Sequence, residues 1–236
     1  MNKQIKSLSI IFPVYKDTKT IETMINKCQN LILRHNLDSE IIVVNDCCPD
    51  GSGEIADEVA KKFNNVTVLH HEHNKGYGMA LKTGFNASTK NWILQTDGDC
   101  QYDIDDFDKM LKIIHNYDCL ITFRYKKIYQ SYRIFISWFY NKLIRFFFNT
   151  RFRDISTGLR LINKDALSDV TLDSNSAFIG AELAIRLMLK GYQVGEIGIT
   201  TYPRKFGKSG IVTIKSILHT IKDLIALYKK LFKTQV

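Results

Sequence analysis

Trp92-Ile93-Leu94-Gln95-Thr96-Asp97-Gly98-Asp99 is an apolar run that ends in two carboxylates separated by a single glycine. The run has the length and boundaries of a buried strand, so Asp97 and Asp99, with Gln101 just beyond, leave its carboxyl end together. Oxygen donors in this pattern suit Mg²⁺ or Mn²⁺, which takes one or two carboxylates and keeps its other positions for water and substrate phosphates. A nucleotide diphosphate is the matching ligand. Taken alone, Asp-Gly-Asp is equally good turn chemistry, so its surroundings decide.

Outward from that run, the first half of the chain alternates short apolar stretches with helical patterns. Strands are expected over 8–12, 40–45, 66–70, 92–96 and 119–123, and helices over 20–33, 52–63, 78–86 and 104–117. Repeated βα units with nearly continuous β-branched strands predict an α/β chain with a mostly parallel sheet covered on both faces. Ligands of such sheets bind beyond the strands' carboxyl ends. Pro13-Val14-Tyr15, Asn45-Asp46, His71 to Gly78 and Asp97-Gly98-Asp99 all fall at such ends. The second half reads as a helix over about 131–149, the segment Asp154 to Arg160, a helix over 180–190, a strand over 193–202 and a loop from Arg204 to Gly210.

Other oxygen-rich and phosphate-binding motifs fail on spacing. An EF-hand loop starting at Asp97 would put Tyr102 at the glycine position and Asp108 at the bidentate glutamate. A Walker loop ending Gly207-Lys208-Ser209 would need glycine where Tyr202 stands, and Gly76-Tyr77-Gly78 lacks the third glycine of the dinucleotide fingerprint, having Leu81 there.

The 236 residues suffice for one core with appendages. Five cysteines, odd in number and without Cys-x-x-Cys spacing, suggest neither a disulfide framework nor a zinc knuckle. No signal-peptide pattern opens the sequence, so a cytoplasmic location without a transmembrane span is expected. The net charge of +9 is concentrated: 124–153 holds eight Lys or Arg and no acid, and 204–236 holds eight against Asp223 alone. The remaining residues carry 17 bases and 23 acids. An acidic body thus bears two basic segments.

The first segment also contains eleven aromatic residues. As a helix it has one narrow polar stripe, Ser137, Asn141 and Arg145, on an otherwise apolar circumference. The second, 211–236, sets Ile214, Ile217, Leu218, Ile221, Leu224, Ile225, Tyr228, Leu231 and Phe232 at helical spacing opposite Lys215, Lys222, Lys229, Lys230 and Lys233. Too short or too charged to cross a bilayer, both helices need covering by the sheet, by a partner subunit in a homo-oligomer, or by an anionic membrane surface, to which aromatic and basic interleaving is suited. Nucleic acid is not expected, because no nucleic-acid motif accompanies the charge.

In order along the chain, Phe12-Pro13-Val14-Tyr15, Val43-Val44-Asn45-Asp46, Asn74-Lys75-Gly76-Tyr77-Gly78, Asp97-Gly98-Asp99-Cys100-Gln101, Asp154 to Arg160 and Arg204 to Ser209 resemble the successive motifs of family 2 inverting glycosyltransferases. The branch resembled is that of dolichol-phosphate mannose synthase and bacterial polyprenyl-phosphate glycosyltransferases. The resemblance implies a glycosyltransferase A-type, Rossmann-like domain over 1–210, followed by a C-terminal amphipathic helix. It also implies a nucleotide-sugar donor, a divalent metal and a lipid-phosphate acceptor at the cytoplasmic membrane face. Carried over residue by residue, it puts Pro13, Tyr15, Asp46, Lys75 and Gly76 around the nucleotide, Glu182 near the sugar, and Asp97, Asp99 and Gln101 at the metal. Arg124, Arg133, Ser137, Arg160, Arg204, Lys208 and Ser209 match acceptor or phosphate positions, and Asp154 matches a catalytic acid that acts as a base or orients the acceptor. Asn45 and Cys47-Cys48 depart from the family pattern beside the nucleoside. A saccharide hydroxyl is the alternative acceptor, and it would require Asp154 as a general base.

Overall fold

A computed structural model of the chain describes residues 5–126, 131–204 and 213–232. Strands β1 (Ser7–Val14), β2 (Asp38–Asn45), β3 (Val66–His70), β4 (Trp92–Gln95), β5 (Cys119–Arg124), β6 (Arg160–Asn163) and β7 (Val194–Ile199) form one sheet in the order β3-β2-β1-β4-β6-β5-β7. Among the strands of the described residues β6 alone runs antiparallel, wedged between β4 and β5. Leu8 to Phe12 are buried without alternation, as expected for strands covered on both faces.

The helices are α1 (Ile21–His35), α2 (Ser52–Ala60), α3 (Tyr77–Ala87), α4 (Phe107–Leu111), α5 (Ser131–Phe148), α6 (Lys164–Ser168), α7 (Ile179–Leu189) and α8 (Ile214–Phe232). α1 buries Ile21, Met24, Ile25, Cys28, Leu31 and Ile32, one face at helical spacing, and stops at Asn36 in the left-handed conformation, whose N–H returns to Ile32 and Leu33. α3 crosses β1 closely because Gly84 has no side chain; a Cβ there would sit 3.3 Å from Ile11. Two cores result, one on each sheet face.

Two expectations are corrected. The helix over 104–117 is broken: α4 spans only Phe107–Leu111, with single tight turns at Ile104–Asp106 and Ile114–Asn116. Asp103 caps the first turn through its side chain, and Ile113 leaves helical geometry at φ −122° at the start of Ile113-Ile114-His115-Asn116-Tyr117, a run of weak helix formers. β6 was not expected as a strand, since four residues beginning with an arginine carry little strand signal.

The C-terminal helix is docked on the body. Leu224 and Leu227 are buried, and Tyr228 packs edge-on against Phe147 of α5 with ring centroids 5.2 Å apart. Among the described residues no helix is long and apolar enough to cross a membrane.

Candidate active site

Beyond the carboxyl ends of β1, β2 and β4 lies a cavity of about 880 Å³. Pro13, Tyr15 and Asp17 reach it from the segment ending β1, Asp46 from the end of β2, Lys75, Gly76 and Tyr77 from the entry to α3, and Asp97 and Asp99 from the end of β4. Arg204 lines it as well. The parallel sheet brings these together because each βα connection turns on the same edge.

Asp46 builds the turn that follows β3. Its Oδ1 accepts the Lys75 N–H at 2.8 Å and lies 2.7 Å from His71 Nδ1, while Oδ2 accepts the Gly76 N–H at 2.8 Å. Gly76 takes φ +88°, where an L side chain would be strained.

Asp97 lies deeper. Tyr77 Oη donates to its Oδ1 at 2.9 Å. Gly158, just ahead of β6, backs directly onto the carboxylate; a Cβ there would stand 2.3 Å from Oδ2. Burial, reinforced by the charge of Asp99, pushes the Asp97 carboxyl up to about 7, against the pull of Tyr77 and Arg160. Burial likewise raises Asp99 and Asp17. Arg204 offsets part of this charge, with a nitrogen 2.5 Å from Asp17 Oδ1 and another 3.9 Å from Asp99 Oδ2.

Buried carboxylates that repel one another and hold protons too tightly are an environment in which a divalent cation is favoured. Among the described residues no group of three or more His, Cys, Asp or Glu gathers as a closed cage. The set fits Mg²⁺ or Mn²⁺ held by Asp97 and Asp99 and completed by ligand oxygens and water.

A family model, Glycosyl transferase family 2, matches residues 9–171. The chain belongs to this family. Among curated relatives, the undecaprenyl-phosphate mannosyltransferase of Micrococcus luteus is 25% identical over 210 residues, covering 84% of the chain and 85% of the relative. Glycosyltransferase AglD of Haloferax volcanii is 24% identical over 226 residues; the match covers 89% of this family 2 chain but 35% of AglD. Glucosyl-3-phosphoglycerate synthase from Mycobacterium tuberculosis, solved with Mn²⁺, UDP-glucose and phosphoglyceric acid, superimposes with a TM-score of 0.73 at 12% identity, covering 94% of the chain and 80% of the synthase. The fold is therefore the glycosyltransferase A-type.

Several sequence-predicted residues of this family 2 enzyme lie outside the cavity wall. Arg124 is not free to meet a phosphate there: its Nε and Nη2 reach Asp154 at 2.7 and 3.0 Å, and Nη2 also donates to Ser156. Arg160 is buried behind Asp97, donating to Ile155 O at 2.8 Å. Glu182 is fully buried, accepts the N–H groups of Asp173 and Ser174, and pairs with Arg186 at 2.7 Å, so it clamps a loop and neither faces solvent nor lines the cavity. The Gln101 side-chain amide donates to Tyr202 O, while its backbone N–H fixes Asp99 Oδ1 at 3.0 Å. Arg133 and Ser137 lie on α5, away from the wall. Lys208 and Ser209 fall outside the described residues.

The structure adds residues that sequence reasoning missed. Asp17 and Tyr77 touch the acidic centre, Asn175 and Ser176 form a wall against α3, and Ser216 and His219 enter from α8. Asp17 was legible in principle, three residues beyond β1. The contributions from 175–176 and α8 come from distant sequence and left no local signal.

Proposed function

We propose that this glycosyltransferase moves a sugar from a GDP- or UDP-linked donor to a polyprenyl or dolichyl phosphate, with inversion, at the cytoplasmic face of a membrane. The observation that carries the reading is the juxtaposition of Asp97 and Asp99 in one cavity, both with raised proton affinity. Pro13, Tyr15, Asp46, Lys75 and Gly76 frame the nucleotide side, and Arg204 supplies a fixed positive charge for its phosphates. A bound Mg²⁺ or Mn²⁺ would supply charge neutralisation on the departing diphosphate. Tyr77 and Gly158 set the direction of Asp97, and the Gln101 N–H sets that of Asp99.

The state of Asp154 favours a phosphate acceptor over a saccharide hydroxyl. Its carboxylate accepts from Arg124 and Ser156 and lies 3.4 Å from the Asn141 amide. Taking a proton from a hydroxyl would require disrupting that set, whereas a phosphate oxygen is already anionic and needs orientation only. The undecaprenyl-phosphate relative supports the same acceptor class.

The outer face of α5 supports the membrane location. Phe135, Trp138, Phe139 and Phe146 are exposed, and Lys142 Nζ lies 4.5 Å from the Trp138 ring centroid. Aromatic rings with snorkelling cations suit lipid headgroups.

UDP- and GDP-sugars assayed with Mn²⁺ and undecaprenyl phosphate test this directly. Transfer to the lipid is expected, with Asp99→Ala abolishing it and Asp97→Ala severely impairing it. Near-normal rates in either variant would overturn the site, and indifference to lipid phosphate would overturn the acceptor.

A further inference from the structure

α8 has two faces of opposite character. At 3.6 residues per turn, Ile214, Leu218, Ile221, Ile225 and Phe232 fall within about 60° of arc, and all five are exposed. Lys215, Lys222 and Lys229 flank that strip. Ser216, His219 and Asp223 lie on the opposite side. Ser216 and His219 line the cavity, and Asp223, the helix's only acid, turns inward to accept the Ser176 N–H at 3.2 Å. The outward face is therefore purely apolar and cationic, the complement of an anionic lipid surface.

The inner face is tied to the donor side of the cavity through a short chain of contacts. Ser176 and Asn175 form cavity wall. Asn175 O accepts the Gly78 N–H at 3.2 Å, and a Cβ on Gly78 would come within 2.4 Å of the Asn175 carbonyl carbon, so this segment sits directly on the first turn of α3. That turn follows Lys75 and Gly76, whose N–H groups bind Asp46. α8 is unevenly anchored. Its buried residues, Leu224 and Leu227, and its pair from Lys230 to Asp173 at 2.7 Å all lie in its second half. The first two turns, which carry Ser216 and His219, contain no buried residue, and Ile214 is 80% exposed. Segments with few buried contacts sit at the low end of local stability, so a surface that captured the apolar strip would order the same turns that complete the cavity.

We propose that α8 couples the two sites: seating of its outer face on an anionic lipid surface fixes Ser216, His219 and the 175–177 segment, and thereby tightens nucleotide binding. Ser216 and His219 act as positioning residues of the cavity wall, and Asp223 is the link. The coupling rests on the donor reading given above. Its physical basis is ordering free energy, supplied once by the lipid and then no longer required of the nucleotide.

The test uses the full chain, Mn²⁺, and UDP or GDP as the probe, with calorimetry in buffer, with phosphatidylcholine vesicles, and with vesicles containing 30% phosphatidylglycerol. Co-sedimentation is measured in parallel. The anionic vesicles are expected to tighten nucleotide binding at least about fivefold, the low end of measured couplings. Asp223→Ala should still bind vesicles but lose the enhancement. Leu218→Ser combined with Lys222→Glu should lose vesicle binding while keeping the vesicle-free affinity. Thermal melts confirm that each variant is folded. Vesicle binding without any change in nucleotide affinity, failure of the wild type to bind anionic vesicles, or full enhancement in Asp223→Ala would each overturn the coupling. Failure of both nucleotides to bind in every condition would instead bring down the donor reading, and the coupling with it.

Discussion

Gly158→Ala tests the acidic centre without touching a carboxylate. A Cβ at this position would stand 2.3 Å from Asp97 Oδ2, 2.6 Å from Cγ and 2.7 Å from Oδ1. Ordinary contact begins near 3.4 Å, so the carboxylate must retreat by about 1 Å. Its retreat is opposed by Tyr77 Oη, which already holds it at 2.9 Å. Displacement of a reacting group by about 1 Å can cost on the order of 10²-fold in rate, equivalent to about 2.7 kcal/mol of barrier. Overpacking of a tight interior costs about 1–3 kcal/mol of stability, which for a chain of this size lowers the melting temperature by about 2–12 °C. The variant should therefore fold, melt modestly earlier, and lose about 10²-fold in kcat with a weaker response to Mn²⁺. Steady-state kinetics across a Mn²⁺ titration, beside a melting curve, separates these effects. A variant with wild-type kcat and wild-type metal dependence would refute the placement of Asp97 at the reacting diphosphate.

The raised carboxyls make a prediction about pH. Asp97 is pushed up to about 7 by burial and by Asp99, from an ordinary 3.8. Between those values the folded protein binds more protons than the unfolded chain, so metal-free stability falls as pH rises through the window. Metal-free protein should melt lower at pH 8 than at pH 5, and Mn²⁺ should raise the melting temperature more at pH 8, where no proton has to be displaced; a Mn²⁺ effect equal at both pH values would contradict this. Arg124→Ala removes the guanidinium that reaches the buried Asp154 carboxylate at 2.7 and 3.0 Å; breaking a buried ion pair costs about 3–5 kcal/mol, or about 6–20 °C in melting temperature. Adding Asp154→Asn should recover part of that loss, and an unchanged melting point in the single variant would show that the pair contributes nothing.

The parallel half of the sheet was legible because its strands are uninterrupted β-branched runs, Ile41-Ile42-Val43-Val44 being the plainest, and because polar residues gather where those runs stop. That logic placed Pro13, Tyr15, Asp46, Lys75, Gly76, Asp97 and Asp99 on one cavity. It does not reach partners brought together from distant sequence. Arg124 and Arg160 were expected at acceptor or phosphate positions and Asp154 as a base or acceptor-orienting group, and the structure packs them behind and beside the cavity, with Arg124 closing on Asp154 across 30 residues. Nothing local distinguishes an arginine waiting for a phosphate from one already matched to a carboxylate. Glu182 poses the same problem, because a helical glutamate three residues after Ile179 gives no hint that its carboxylate caps the N–H groups of Asp173 and Ser174.

α5 has a periodicity legible in the sequence whose direction the sequence leaves open. The polar stripe expected from Ser137, Asn141 and Arg145 would face water on an ordinary surface helix. Asn141 instead points into the protein, accepting the Ile155 N–H at 2.9 Å and donating to Ser137 O. The opposite face, with Phe135, Trp138, Phe139 and Phe146, is the exposed one. A buried asparagine that satisfies a loop and an aromatic face left in the open together invert the usual solvent rule. An exposed aromatic face with interleaved cations is suited to being covered, and the lipid surface proposed above would cover it. Asn141 also lies 3.4 Å from Asp154, so α5 is joined directly to the residue proposed to orient the acceptor.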